Sequence, residues 1–158
     1  PLYSSAASDV YKRQIMDYLK VLVEEIHSVV VATVDETGHP HTAVMDMMWE
    51  DGKTVYFLTA DFKPLYKRLK EDGRVAVTGM TQGAGTMDRK SISLTGQVEW
   101  IGKEHLEELL KANPYMYEIY PTEEGRSHLQ VFRFKNSVGN FYDLTQLPPY
   151  QARFEIEG

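Results

Sequence analysis

Three features of this 158-residue sequence predict an α+β fold in which an antiparallel sheet closes on itself, barrel-like, with helices at its periphery. An apolar stripe at helical spacing precedes the first β-branched run. About six extended segments then follow in hairpin order, with helical segments inserted between them, and the strand–helix alternation of a parallel sheet is not sustained. The chain is of single-domain size, and 42% hydrophobic with 25% charged residues is ordinary globular composition. A formal net charge of −6 disfavours nucleic-acid binding, which needs a basic face to displace counterions from phosphate. With no cysteine, disulfides, thiolate nucleophiles, iron–sulfur ligation and cysteine zinc sites are excluded. That fits a reducing, cytoplasmic setting. No apolar run approaches the roughly 20 residues of a membrane span.

The first fourteen residues, PLYSSAASDVYKRQ, are polar and aperiodic. They resemble translated adapter sequence, so residues 1–14 are expected to be a disordered or cloning-derived tail and 15–158 the domain. Ile15, Tyr18, Leu19, Leu22, Val23 and Ile26 then share one helical stripe. VVVATV (residues 29–34) is the first strand, and the turn-rich DETGHP leads to an extended His41–Trp49. Asp51-Gly52 signals a hairpin into TVYFLT (54–59), the strongest strand by propensity. Asp61, Pro64, Leu65 and Leu69 mark a short helix, and Arg74–Met80 is the next strand. After a polar loop, Lys90–Ile101 alternates around Gly96, which marks a bulge or a close backbone approach. Lys103–Ala112 reads as helix up to the Asn113-Pro114 break, with another turn or two in Pro114–Tyr120. His128–Phe134 is a core strand, Val138–Leu144 a partner for it, and the Leu147-Pro148-Pro149 end is irregular.

The segment most suggestive of chemistry is FLTADFKPLYK (57–67). A strand ends in a hydroxyl residue, a turn follows, and a helix opens with a lysine in its first turn. The free N–H groups and positive end of a helix favour an anion, so Thr59, Lys63 and Lys67 form a candidate phosphate seat. The bland alternative is a strand end followed by a solvated lysine face. Other signals are weaker. His39 and His41 share one side of a strand but have no evident carboxylate–histidine cluster, which suits a turn better than a metal site. Asp35 and Asp46 are candidate paired carboxylates. Gly83-Ala84-Gly85 lacks the strand–helix context of a dinucleotide loop. Ser91, Ser93 and Ser127 have no triad motif around them. Trp49, Trp100, Tyr115, Tyr117 and Tyr120 suit core or subunit contacts better than a base-stacking platform.

The order of an N-terminal helix, VVVATVDETGHPHTAVM, DGKTVYFLTADFKPLYKRL, GRVAVTGM and LTGQVEWI resembles the pyridoxamine 5'-phosphate oxidase-like FMN-binding split-barrel family over residues 16–144. The resemblance implies a six-stranded antiparallel split β-barrel with peripheral helices. It also implies a homodimer with the cofactor cleft at the subunit interface, FMN as cofactor and a small-molecule substrate. By position, Val44, Met45, Asp46 and Met47 match the strand whose backbone lines the ribityl chain and ring. Leu58 and Thr59 match the strand end at the phosphate, Lys63 the basic residue on it, and Ser91 a polar residue near the ring. Methionines on a strand are more often core filler, which is the competing reading of Met45 and Met47. Arg89 and Lys90 are further donors for the reduced ring, or else exposed charges. The implied activity is that of an oxidoreductase moving hydride between a reduced nicotinamide and an organic acceptor or oxygen, with no side chain required as acid or base. The chain ends NFYDLTQLPPYQARFEIEG, without the Arg- and Trp-containing substrate signature of vitamin B6 oxidation. The alternatives are a haem-binding or haem-degrading relative, with His27, His39, His41, His105 and His128 as the available ligands, and a flavin-binding module without turnover.

Overall fold

The computed structural model describes residues 2–158, with side chains from Ala6 onward. Helix α1 (Leu2–Lys20) passes into one π-helical stretch, Val21–Ile26, that ends at His27 with φ 60°. The strands are β1 (Ser28–Val34), β2 (Pro40–Asp46), β3 (Trp49–Glu50), β4 (Val55–Ala60), β5 (Arg74–Met80), β6 (Lys90–Gly102), β7 (Leu129–Asp143) and β8 (Tyr150–Ile156). Helix α2 (Pro64–Glu71) follows β4, and α3 (Leu106–Ala112), α4 (Met116–Ile119) and α5 (Glu123–Arg126) lie between β6 and β7. All pairings are antiparallel, in the order β2-β1-β5-β6-β7-β4-β3, with β8 added to β7.

The sheet curls until its ends meet. The chain passes from β2 directly to β3, and Met47 N–H bonds to His27 O while Met48 N–H bonds to Tyr56 O, at 2.7 and 2.9 Å. Two neighbouring residues thus reach opposite ends of the strand order. The expected stripe holds, with Tyr18, Leu19, Leu22 and Ile26 buried against Val29, Val31, Phe57, Phe132 and Phe134 inside the barrel. Leu65 and Leu69 bring α2 onto the same core. A second cluster, Met48, Tyr56, Leu58, Leu109, Leu110, Met116 and Val131, lies between the other face of β4–β7 and α3–α4, so every residue of β4 is buried.

The sheet has eight strands rather than six. β3 has only two residues and carries no periodicity. β8 follows a Pro-Pro pair that marks irregular chain, yet Phe154 and Ile156 are buried and it pairs with residues 137–143. The two segments expected on either side of residue 136 are one strand, β7, in which Asn136 (φ 46°) takes up the bend. Residues 2–14 continue α1 as helix rather than lying irregular, and positions 6–14 are exposed. Ala6, Ala7, Lys12, Arg13 and Gln14 are good helix formers, so propensity without packing accounts for the extension.

Candidate functional site

β4 ends at Ala60, and Lys63, in extended conformation, precedes α2, with its N–H on Ala60 O at 3.1 Å. Pro64 fills the first helical position, where its missing N–H costs nothing, and the first turn leaves backbone donors without intrahelical acceptors. Thr59 is 3% exposed and its Oγ1 has no hydrogen-bond partner. It lies on the face of β4 that carries Phe57, against which α2 packs Leu65 and Leu69. Lys63 and Lys67 are exposed, and neither makes an ion pair among the described residues. Arg68 Nε donates to Thr33 Oγ1 at 2.8 Å and fastens the helix to β1. Lys70 sits 4.3 Å over the Trp100 ring. A buried hydroxyl without a partner, at the mouth of a helix bearing unpaired lysines, is chemically suited to an oxyanion.

The β2 candidates alternate between two environments. Val44 is 72% exposed on the outer face, level with Val30 and Thr78 across β1 and β5. Met45 packs partly against the core. Met47 is wholly buried in that core and Leu58 lies in the second cluster, so their side chains serve packing and only their backbones remain for a ligand. Asp46 is the focus of a network. Ser28 Oγ donates to Oδ1 at 2.6 Å and Tyr115 Oη to Oδ2 at 2.7 Å, while His27 Nε2 lies 2.9 Å from Tyr115 Oη and 3.4 Å from Asp46 Oδ2. Burial alone would raise the Asp46 carboxyl, but the bonds from Ser28 and Tyr115 and the nearby His27 bring it below the usual carboxylate range. Burial first, and then the bond to Asp46, pushes the Tyr115 phenol well above its ordinary value. The sequence offered His27 only as a haem ligand and Tyr115 only as a core or subunit contact, because the two meet Asp46 only through the fold. Ser91 pairs with Met80 in the β5–β6 ladder and stands on the same outer face as Asp46, two strands beyond Ser28.

Several weaker candidates are accounted for. Asp35 Oδ2 holds His41 Nε2 at 2.8 Å, and Thr37 Oγ1 lies 2.8 Å from His39 Nδ1, closing the β1–β2 turn. The His41 and Thr37 bonds hold the Asp35 carboxyl far below its usual range. Asp35 and Asp46 stand at opposite ends of the β1–β2 hairpin and are not a carboxylate pair. Among the described residues no group of three or more His, Asp or Glu could hold a metal ion. A cavity of about 750 Å³ lies between α1 and the β3–β4 turn, lined by Tyr11, Met16, Lys53 and Arg133, and none of the candidate residues borders it.

A family model described as pyridoxamine 5'-phosphate oxidase matches residues 15–142. Among solved structures, a NimC/NimA family protein from Clostridium acetobutylicum is 20% identical, with 92% of this chain and 96% of that one covered and a TM-score of 0.72. A protein related to general stress protein 26 (pyridoxinephosphate oxidase family), from the same organism, is 21% identical, with 90% and 95% covered and a TM-score of 0.64. An FAD- and haem-binding protein from Mycobacterium smegmatis is 18% identical, with 75% and 64% covered and a TM-score of 0.55. The search of curated proteins finds no match. No helix is long and apolar enough to cross a membrane among the described residues.

Proposed function

For a chain that belongs to the pyridoxamine 5'-phosphate oxidase-like split-barrel family, we propose the function of an FMN-binding oxidoreductase. It passes hydride between a reduced nicotinamide and a small organic acceptor or oxygen, as a cytoplasmic homodimer whose cofactor cleft lies at the subunit interface. The observation that carries this reading is the orphaned Thr59 Oγ1, buried at the end of β4 beside the first turn of α2. An unpaired buried hydroxyl costs stability unless a ligand supplies its partner, and a phosphate ester fits both the hydroxyl and the adjoining positive helix end.

In this reading Thr59 and the α2 backbone bind the phosphate, and Lys63 and Lys67 add charge. The backbone of residues 44–47 and 58 lines the ribityl chain and ring, with Ser91 placed to orient the ring edge. Flavin, when bound, supplies the hydride chemistry. The chain contributes binding, orientation and exclusion of water, and the Ser28–Asp46–Tyr115–His27 network stiffens the corner where β2 turns into β3.

The test is flavin titration followed by fluorescence quenching. Lys63→Ala is expected to weaken FMN binding about tenfold or more, as for loss of a charge-assisted bond, and Lys70→Ala to leave it nearly unchanged. Equal effects from both variants would remove the phosphate seat. Purified protein should be yellow, with FMN released by acid, and anaerobic reduced nicotinamide should bleach it. A haem spectrum would favour the haem reading, and a flavin that does not bleach would favour a binding module.

A further inference from the structure

The described residues hold two buried side-chain atoms without a hydrogen-bond partner, and the second is Arg89 Nε. Arg89 closes the β5–β6 loop in a half-buried position. Its backbone is pinned, because Leu144 N–H bonds to its carbonyl at 3.0 Å, while Thr81 N–H bonds to Lys90 O and Lys90 N–H to Thr81 Oγ1, both at 2.9 Å. Its head is directed by one weak contact, Nη1 to Met80 Sδ at 3.6 Å. No carboxylate pairs with it among the described residues, whereas the neighbouring Lys90 is paired with Glu25 at 3.4 Å. A buried Nε–H on a charged side chain, with neither a hydrogen-bond acceptor nor a carboxylate supplied for it, is a cost that a fold seldom carries without return.

The surroundings indicate what fills the gap. Met80, 55% exposed, lies against the guanidinium and gives it a polarizable apolar flank. On the same outer face, Ser91 is the ladder partner of Met80, and Ser28 with Asp46 lies across β1. A fork that matches carboxylate or phosphate bidentately, with a thioether against it and a serine on the same face, is built for an organic anion rather than a bare ion. We propose that Arg89 recognises the oxyanion, carboxylate or phosphate, of a small organic substrate whose apolar body lies against Met80. That this molecule is the one turned over rests on the flavin reading above; its binding does not.

The experiment uses the protein as purified, labelled with ¹⁵N-arginine, and follows the Arg89 Nε–Hε resonance during titration with benzoate and, separately, phenyl phosphate. The resonance is assigned by its loss in Arg89→Lys. Expected is a saturable downfield shift with at least one probe, with the stronger response telling carboxylate from phosphate. Acetate or inorganic phosphate should bind at least tenfold more weakly than the aromatic probe of the same charge type. In equilibrium dialysis with the same probes, Arg89→Gln should lose at least tenfold in affinity, and Arg89→Lys, which keeps the charge without the fork, should also bind more weakly. No saturable shift with either probe, or unchanged affinity in both variants, overturns the proposal. So does a halved light-scattering mass in Arg89→Gln with anion binding intact, because a second copy would then supply the missing acid. Failure of the same protein to bind FMN, with the Arg89 response retained, would sink the flavin reading and leave this one standing.

Discussion

Thr59 carries two opposed expectations that separate ligand binding from packing. Its buried Oγ1 has no partner, so Thr59→Val, which keeps the shape, should stabilise the flavin-free protein by about 1 kcal/mol. The same change should weaken FMN binding roughly tenfold or more, since a hydrogen bond to a charged group is lost. Thermal melts with and without FMN check both signs, and destabilisation of the flavin-free protein would show the hydroxyl to be satisfied after all. The placement of Thr59 at the end of β4 and of Lys63 just before α2 was legible because a hydroxyl at a strand end and a lysine beside Pro64 mark a helix mouth in the sequence itself. For Met45 and Met47 core filler competes with cofactor wall, and burial assigns the Met47 side chain, and that of Leu58, to the core. His27 and Tyr115 are 88 residues apart, and nothing local to either announces the 2.9 Å contact between them.

Among the elements, β6 and β7 carry most of the geometry. Gly96 was expected to mark a bulge or close approach. The β6–β7 register shifts there, and a Cβ on Gly96 would stand 2.5 Å from Ser137 Cα. Gly139 was not singled out, yet a Cβ on it would stand 2.2 Å from Phe154 Cζ, on a strand that sequence reading left irregular. Its signal needed a partner, β8, that the Pro-Pro pair concealed. Gly139→Ala is therefore expected to destabilise the fold by roughly 1–3 kcal/mol through overpacking, as measured by urea unfolding. The end of β7 also sets a pH dependence. Burial would raise the Asp143 carboxyl, but bonds from Thr145 and Gln146, with the nearby Lys90, hold it below the usual range. A carboxyl lowered by folding contributes stability above its unfolded value, near 3.9, and loses it as pH falls through the folded one. Asp143→Asn should thus unfold at lower urea than the parent at pH 7, with the gap narrowing as pH falls below about 4. A gap independent of pH would mean that the charge has no part in it.

For the whole molecule, the fold class and the order of helix, hairpins and inserted helices were legible, because period and turn chemistry are local properties. Closure through Met47 and Met48 was not, since it depends on two backbone bonds between distant residues. The outer face bearing Val30 and Val44 is where the proposed homodimer would bury apolar surface, and light scattering should give twice the chain mass.

The long strand β7 has the two orphaned groups beside its opposite ends, Thr59 on β4 and Arg89 just before β6. Thr59 pairs with Gln130 and Lys90 with Asp143, so 13 residues of β7, the Asn136 bend among them, separate the two positions along the chain. In the shared cleft proposed here, phosphate and substrate are held by different chains, so two defective chains can repair one another. Lys63→Ala and Arg89→Gln chains, unfolded and refolded together, should recover up to roughly a quarter of the parent turnover, since half the dimers are mixed and each mixed dimer has one cleft free of both lesions. Recovery no greater than the two separate preparations would place both groups in a single-chain site.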